Sequence, residues 1–592
     1  MRPWHRRCVE VVLLVTIAVL ILIETRMLWF FSDDWAFILG RRDLRLSGRT
    51  ADFLWYPHNE HLMGGLSSIY VVVIALFGIS SQFPFMVLLM LGHVAVLWMV
   101  ATLIRRAGLR WEWGLVAMVW LGFFGGGNEN LIWPVQIGYV WSLALSLGAA
   151  LIATRSFDEG DGGLSGLRRR LLPDAVASLL NVLALFIGPT AIVVMIGSGA
   201  VLAVERPIRR SWMRAVRVLA LPTSLYLWWY LTYGRRFSPP WGHPARRMPA
   251  YLVRGVTNAL DHTVAIRGGG LVLFLVSAAL CVRVIRNDSA RRVLVLCTAC
   301  LIAFHVSNTY ARAGLGTVQS TSPRYVGVTA VFAVPIFVIG SSEFIRRVRG
   351  TRFAAAPRLA VVATAVVGLL GINAVWRNAH DLHVARRARE AVLYEIRPTI
   401  EIAALHATSP VIELGEQPEP KYDPDITMGR LAEAVTSGML KPRSNWSIEQ
   451  LLAGSLQFGV VVRRDGPTAA SSNRGLVMES AEGASGMETG CIDLIVSPEH
   501  PASVTFAPGQ PGGFVRISAL PSTGTVELSV TLVAGEVSTA ARLLGPVTPA
   551  PLWLGVDPFT GTTTVRFESG SDPGSESAGE QRVAVCGVSP ES

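Results

Sequence analysis

The sequence predicts a polytopic α-helical membrane domain of about eleven transmembrane helices, followed by an extracytoplasmic β-sandwich or jelly-roll domain. Three observations predict it. Of 592 residues 51% are hydrophobic and only 16% charged, with a mean hydropathy of +0.44, a balance that soluble chains of this length do not have. Apolar runs of near-membrane length alternate with short arginine clusters as far as residue 376. From residue 455 onward the pattern turns to short β-branched runs separated by Gly, Pro and Ser.

The net charge of +11 divides unevenly. Residues 377–592 hold 16 Lys and Arg against 25 Asp and Glu, so this tail is −9 and the remainder +20. The basic charge therefore belongs to the membrane half, where it sets orientation; it is not a nucleic-acid signal. Spans are read at 9–31, 83–104, 112–127, 131–153, 174–188, 189–204, 216–233, 270–286, 293–309, 324–345 and 358–376. The clusters around Arg6, Arg105, Arg169, Arg209, Arg291 and Arg347 then all fall on one side, the cytoplasmic one if the N-terminus is cytoplasmic. Counting Leu62–Ile79 as a further span would turn every later cluster outward. It is read instead as a helix lying along the outer membrane surface, short and opened by Gly64-Gly65. The first span has no small-residue cleavage site after it and reads as an uncleaved anchor of the cell membrane.

The predicted domains are 1–376 in the membrane, a helical connector at 377–454 and a β-rich domain at 455–592. Strands are expected at Phe458–Val462, Cys491–Val496, Phe514–Leu520, Thr525–Val533, Thr562–Phe567 and Val583–Cys586. Cys491 and Cys586 are the tail's only cysteines and are expected to form a disulfide outside the cell. Cys297 and Cys300 form a C-x-x-C inside a span, which reads as small-residue packing.

The chemistry gathers on the outer side. Asp33 and Asp34 stand at the mouth of the first span, where carboxylates are costly to hold and so point to catalysis or ion binding. One acts as general base while the other orients it, contacts a sugar hydroxyl or holds a cation. The competing reading is a Ser32-Asp33 helix cap. Asp33 emerges first and is the expected base, its basicity raised by partial desolvation. His58, Glu60 and His61 form a polar cluster suited to substrate contact, while their spacing makes only a partial metal site. Gly125-Gly126-Gly127 permits close backbone approach but lacks the lysine of a P-loop, and Glu129 is the one acid of its loop. Gln136 adds a polar group at the entry to the next span. Arg235, Arg236, Arg312 and Arg324 with Tyr325 lie outside against the charge bias, which suggests an anionic ligand such as a lipid phosphate.

A first helix ending in an acidic pair, an outer loop with an interfacial helix, a second acidic loop after the third span and a C-terminal extracytoplasmic domain together resemble the C-type (GT-C) membrane glycosyltransferase superfamily. The resemblance covers residues 1–376. It implies transfer of a sugar from a polyprenyl-phosphate carrier to a glycan, lipid or protein acceptor, among membrane lipids and without nucleic acid. By it, Asp33 or Asp34 is the base, Glu129 the acid of the second loop, and the late-loop arginines the phosphate contacts. No cofactor is required by that chemistry, and a divalent cation remains open as an aid to the phosphate. The rival reading is a transporter or flippase of lipid-linked substrates, which would place its charges near the midplane and show repeated halves.

Overall fold

The computed structural model describes residues 3–154, 164–205, 208–237, 242, 244–350, 357–408 and 414–442, and beyond them only the backbone of strands within 460–587. The chain divides into two compact units, residues 1–77 with 81–392, and residues 78–80 with 393–592.

The first unit is helical. Among the described residues five helices are long and apolar enough to cross a membrane: Trp4–Thr25, Phe83–Arg106, Pro134–Ala153, Asp288–Leu315 and Pro323–Val348. Shorter apolar helices cover Gly64–Phe77, Leu171–Ile187, Thr190–Val204 and Gly270–Cys281. Every segment read as a span carries a helix, though several are shorter than a bilayer asks for.

The placement of α1 (Pro3–Thr25), α2 (Gly64–Phe77) and α3 (Phe83–Arg106) fixes the frame of the site. α1 and α3 run antiparallel: Arg105 bonds Glu10 at 2.5 Å at one end, and the Phe30 and Phe85 rings meet edge-on at 5.3 Å at the other. Pro84 in the first turn of α3 and Arg105 and Arg106 in its last suit the missing donors and the negative dipole at those ends. α2 starts against Phe186 and Ile187, where a Cβ on Gly65 would come within 2.9 Å of the Phe186 carbonyl. Its Tyr70 ring meets Phe85, in the first turn of α3, tilted at 48° with centroids 4.7 Å apart.

Further along, α4 (Ile137–Ala153), α5 (Leu164–Ile187), α6 (Thr190–Val204) and α7 (Ile208–Thr232) pack as successive neighbours, and α8 (Asp288–Arg312) and α9 (Pro323–Gly350) complete the bundle. Asn287 caps α8 by accepting from the Ser289 N–H at 3.0 Å. Cys297 and Cys300 are buried free thiols, and a Cβ on Gly197 would fall 2.4 Å from the Cys300 sulfur, so the C-x-x-C serves close packing of α6 on α8. At the end away from the site, buried Asp174 and Glu343 and half-buried Glu205 anchor the arginines. Asp174 takes Arg214 at 3.0 Å and Arg217 at 2.7 Å, Glu343 takes Arg346 at 2.7 Å and Arg347 at 2.8 Å, and Glu205 takes Arg292.

The helix Pro357–His406 runs through the predicted 376/377 boundary without a break. In the second unit, Met428–Thr436 is a helix capped by Thr427. The strands form two antiparallel sheets. One has the order Val460–Arg463, Leu552–Val556, Gly513–Ala519, Gln581–Gly587, Cys491–Val496, Ala484–Glu488. The other has the order Met478–Glu482, Ala502–Phe506, Thr563–Ser569, Val526–Ala534, Val537–Ser538, with Arg542–Val547 also on Val526–Ala534. The register sets Cys491 directly opposite Cys586; their side chains lie outside the described residues.

Candidate functional site

One end of the helix bundle collects nearly every polar residue singled out above. The chain leaves α1 and enters a single helical turn, Asp33–Trp35, through Ser32 at φ 51°, a left-handed conformation that a serine adopts only under constraint. The constraint is visible in Asp34. It is wholly buried, accepting from Tyr70 Oη at 2.6 Å through Oδ1 and from the Phe31 N–H at 3.0 Å through Oδ2. Burial pushes its carboxyl up to about 7, with the two hydrogen bonds opposing that rise. Ser32 makes no side-chain cap, so the capping explanation of the acidic pair fails.

Asp33 is the more open of the two, half-buried, and its charge acts on His58, Tyr139 and Arg324. The sequence argument gave Asp33 the desolvated position; the structure gives that position to Asp34. The reason is Tyr70, which reaches over from α2 and takes the second carboxylate inward.

The Asp33–Trp35 turn packs against Pro134–Gln136, and the Trp133 indole N–H donates to the Phe31 carbonyl at 3.0 Å. Gln136 is buried in that contact. Arg324 opens α9 with its guanidinium over Trp133 and Tyr325, at 5.8 and 5.4 Å, and its Nε stands 3.8 Å from Glu129. Glu129 is thereby paired with an arginine on which the charge of Asp33 also acts. Arg389 lies over Phe31 at 4.3 Å and Trp133 at 5.1 Å, a cation that no local pattern in the sequence announces.

The triple glycine approaches protein. A Cβ on Gly125 would fall 2.1 Å from the Asn378 carbonyl, and one on Gly127 would fall 2.7 Å from Gly327. The Gly126 N–H donates to Asn378 Oδ1 at 3.0 Å. The glycines are there to let three helices meet.

Beside these groups a cavity of about 410 Å³ opens between the ends of α4, α6, α7, α8 and α9. Glu60, His61, Arg235, Arg312 and Tyr325 line it. Tyr139, Tyr226, Tyr230, Phe237, Phe304 and Tyr310, none of them foreseen, give it an aromatic wall broken by the amide of Asn308. Asp33, Asp34, His58, Gln136, Arg236 and Arg324 are not part of that lining, and Arg236 sits over the Tyr233 ring at 5.1 Å. The two parts of the site meet through the histidines. His61 crosses Tyr139 edge-on at 6.5 Å, and His58 lies on Phe37 at 4.7 Å. The His58 ring, half-buried in surface terms but densely surrounded by protein, is pushed down to about 4 by that burial, against the pull of Asp33. His61 is likewise held well below the ordinary histidine value by burial and by Arg312. Among the described residues no three His, Cys, Asp or Glu side chains gather as a metal would need.

No protein-family model and no curated protein matches the chain. Solved structures similar to it include two of one protein. One is the crystal structure of ArnT from Cupriavidus metallidurans in the apo state, at 14% identity and a TM-score of 0.41, covering 69% of this chain and 81% of that one. The other is ArnT from the same organism bound to undecaprenyl phosphate, at 14% identity and a TM-score of 0.40, covering 83% and 93%. At that identity and TM-score the likeness assigns this chain no superfamily and no residue a role.

Proposed function

We propose that the protein is a membrane glycosyltransferase that moves a sugar from a polyprenyl-phosphate donor to a cell-envelope acceptor on the extracytoplasmic face. The observation that carries this is the aromatic cavity of about 410 Å³ at one end of the helical bundle, with Arg235, Arg312 and the Glu60 carboxylate in its lining and with the charge of half-buried Asp33 acting on its Tyr139. Aromatic faces suit sugar rings, guanidinium groups suit a phosphate, and a carboxylate suits the acceptor proton. The charged groups lie at the bundle's ends, where a transporter would hold them near its middle.

In this reading Asp33 is the general base. The acceptor hydroxyl gives its proton to the Asp33 carboxylate while its oxygen bonds the anomeric carbon. The bond from that carbon to the phosphate oxygen breaks, and its electron pair leaves with the polyprenyl phosphate, inverting the anomeric centre. Arg235, exposed on the cavity wall, meets the leaving phosphate. Glu60 and His61 bind the sugar, and Tyr325 stacks beside it. Asp34 holds the turn through Tyr70 and Phe31, and Glu129 holds Arg324. His58, Gln136 and Arg236 act one layer out, on the Asp33 turn and the cavity rim. The step balances without a cofactor, and a divalent cation would add only charge to the phosphate.

We read eleven spans with the N-terminus cytoplasmic and the C-terminal sheets, facing one another as a sandwich, outside the cell membrane. The membrane domain ends near 376 and the β-rich domain begins near 455. The experiment is transfer of labelled sugar in membranes containing the full chain, with undecaprenyl-phosphate sugars as donors. Labelled product that depends on the protein supports the reading. Movement of the lipid-linked sugar between leaflets without any transfer would overturn it in favour of a flippase.

A further inference from the structure

The tightest turn at the site is His58–His61. His58 and His61 exchange both backbone hydrogen bonds, at 3.0 and 2.9 Å, around Asn59 at φ 46° and Glu60 at φ 71°. Two consecutive left-handed residues make a type I′ turn, which chains ordinarily build from Asn-Gly. Asn59 fits that pattern. Glu60 does not, because it carries a Cβ where glycine is the usual residue.

Arg312 addresses this strained pair directly. From the last turn of α8, and 8% exposed, it donates through Nη2 to the Asn59 carbonyl at 3.0 Å. The same nitrogen stands 3.3 Å from His61 Nε2 and 3.9 Å from Glu60 Oε2. A guanidinium has no acceptor, so His61 Nε2 must accept, which makes the ring neutral with its proton on Nδ1.

We infer that Arg312 is a positioning residue: it clamps the left-handed Asn59–Glu60 turn and sets His61 as a neutral Nδ1–H donor in the cavity lining, for an oxygen of the bound sugar phosphate. This revises the expectation that Arg312 contacts the leaving phosphate. The identity of the ligand rests on the glycosyltransferase reading; the clamp does not.

The test therefore reads the turn and the transfer separately, in the full chain, with Arg312→Gln, Arg312→Gln/Glu60→Gly and Arg312→Gln/Glu60→Gln. Hydrogen exchange of the 58–61 amides is followed with the rest of the chain as the folding control. In Arg312→Gln these amides exchange at least about tenfold faster, and transfer falls at least about tenfold with donor KM within about threefold. Glycine at 60 relieves the strained φ and restores slow exchange, while transfer stays reduced relative to Glu60→Gly alone because His61 Nε2 still lacks the guanidinium. Glutamine at 60 removes only the charge and restores neither. Unchanged exchange in Arg312→Gln, or equal rescue by glycine and glutamine, would overturn the clamp. A wild type that transfers nothing counts against the glycosyltransferase reading, while the exchange results still decide the clamp.

Discussion

Successive side chains on a helical turn point about 100° apart, so Asp33 and Asp34 cannot share an environment. Asp34 goes inward to Tyr70 and Asp33 stays at the rim. That split predicts opposite behaviour on substitution. The folded Asp34 carboxyl lies near 7, above its unfolded value of 3.8, so the folded state binds the extra proton. Its contribution to stability is present below 3.8 and is lost as pH rises through 7. Asp34→Asn removes this titration. The melting temperature of the variant relative to wild type should thus climb from pH 5 to pH 8; a constant difference across that range would show that Asp34 does not titrate there. The acidic pair itself was legible in the sequence because charge at a membrane mouth is conspicuous. Which member is buried was not, since the answer lies with a tyrosine 36 positions away.

At the scale of elements, the topological expectation rests on the arginine clusters. Gly64–Phe77 is an apolar helix of 14 residues, shorter than the five that are long enough to cross, and the charge pattern expects it to lie along the outer surface. A cysteine label at Gly314 should react with an impermeant reagent from outside and one at Arg110 only after permeabilisation; outside reaction at Arg110 would overturn the orientation. The sequence did not reveal the partners of those clusters. Glu10, Asp174, Glu205 and Glu343 each meet an arginine, most from another helix, and such pairings leave no periodic trace. The triple glycine was read correctly as a place of close approach, but what approaches, Asn378 and Gly327, comes from distant sequence.

For the molecule as a whole, composition and hydropathy identified the membrane part and the β-rich part, while the aromatic cavity remained hidden because its wall is assembled from five helices. The register that sets Cys491 opposite Cys586 predicts one disulfide closing a loop of about 95 residues, stabilising the domain by roughly 2 to 5 kcal/mol. Mass spectrometry of the unreduced chain should find these two cysteines linked; two free thiols would contradict the pairing. The central claim is that Asp33 takes the acceptor's proton, and single-turnover transfer from a labelled polyprenyl-phosphate sugar tests it most directly. Asp33→Asn, correctly inserted and still binding donor, should slow transfer by about 100-fold to 10,000-fold, and more than Asp34→Asn does. Transfer within about twofold of wild type in Asp33→Asn would contradict the account.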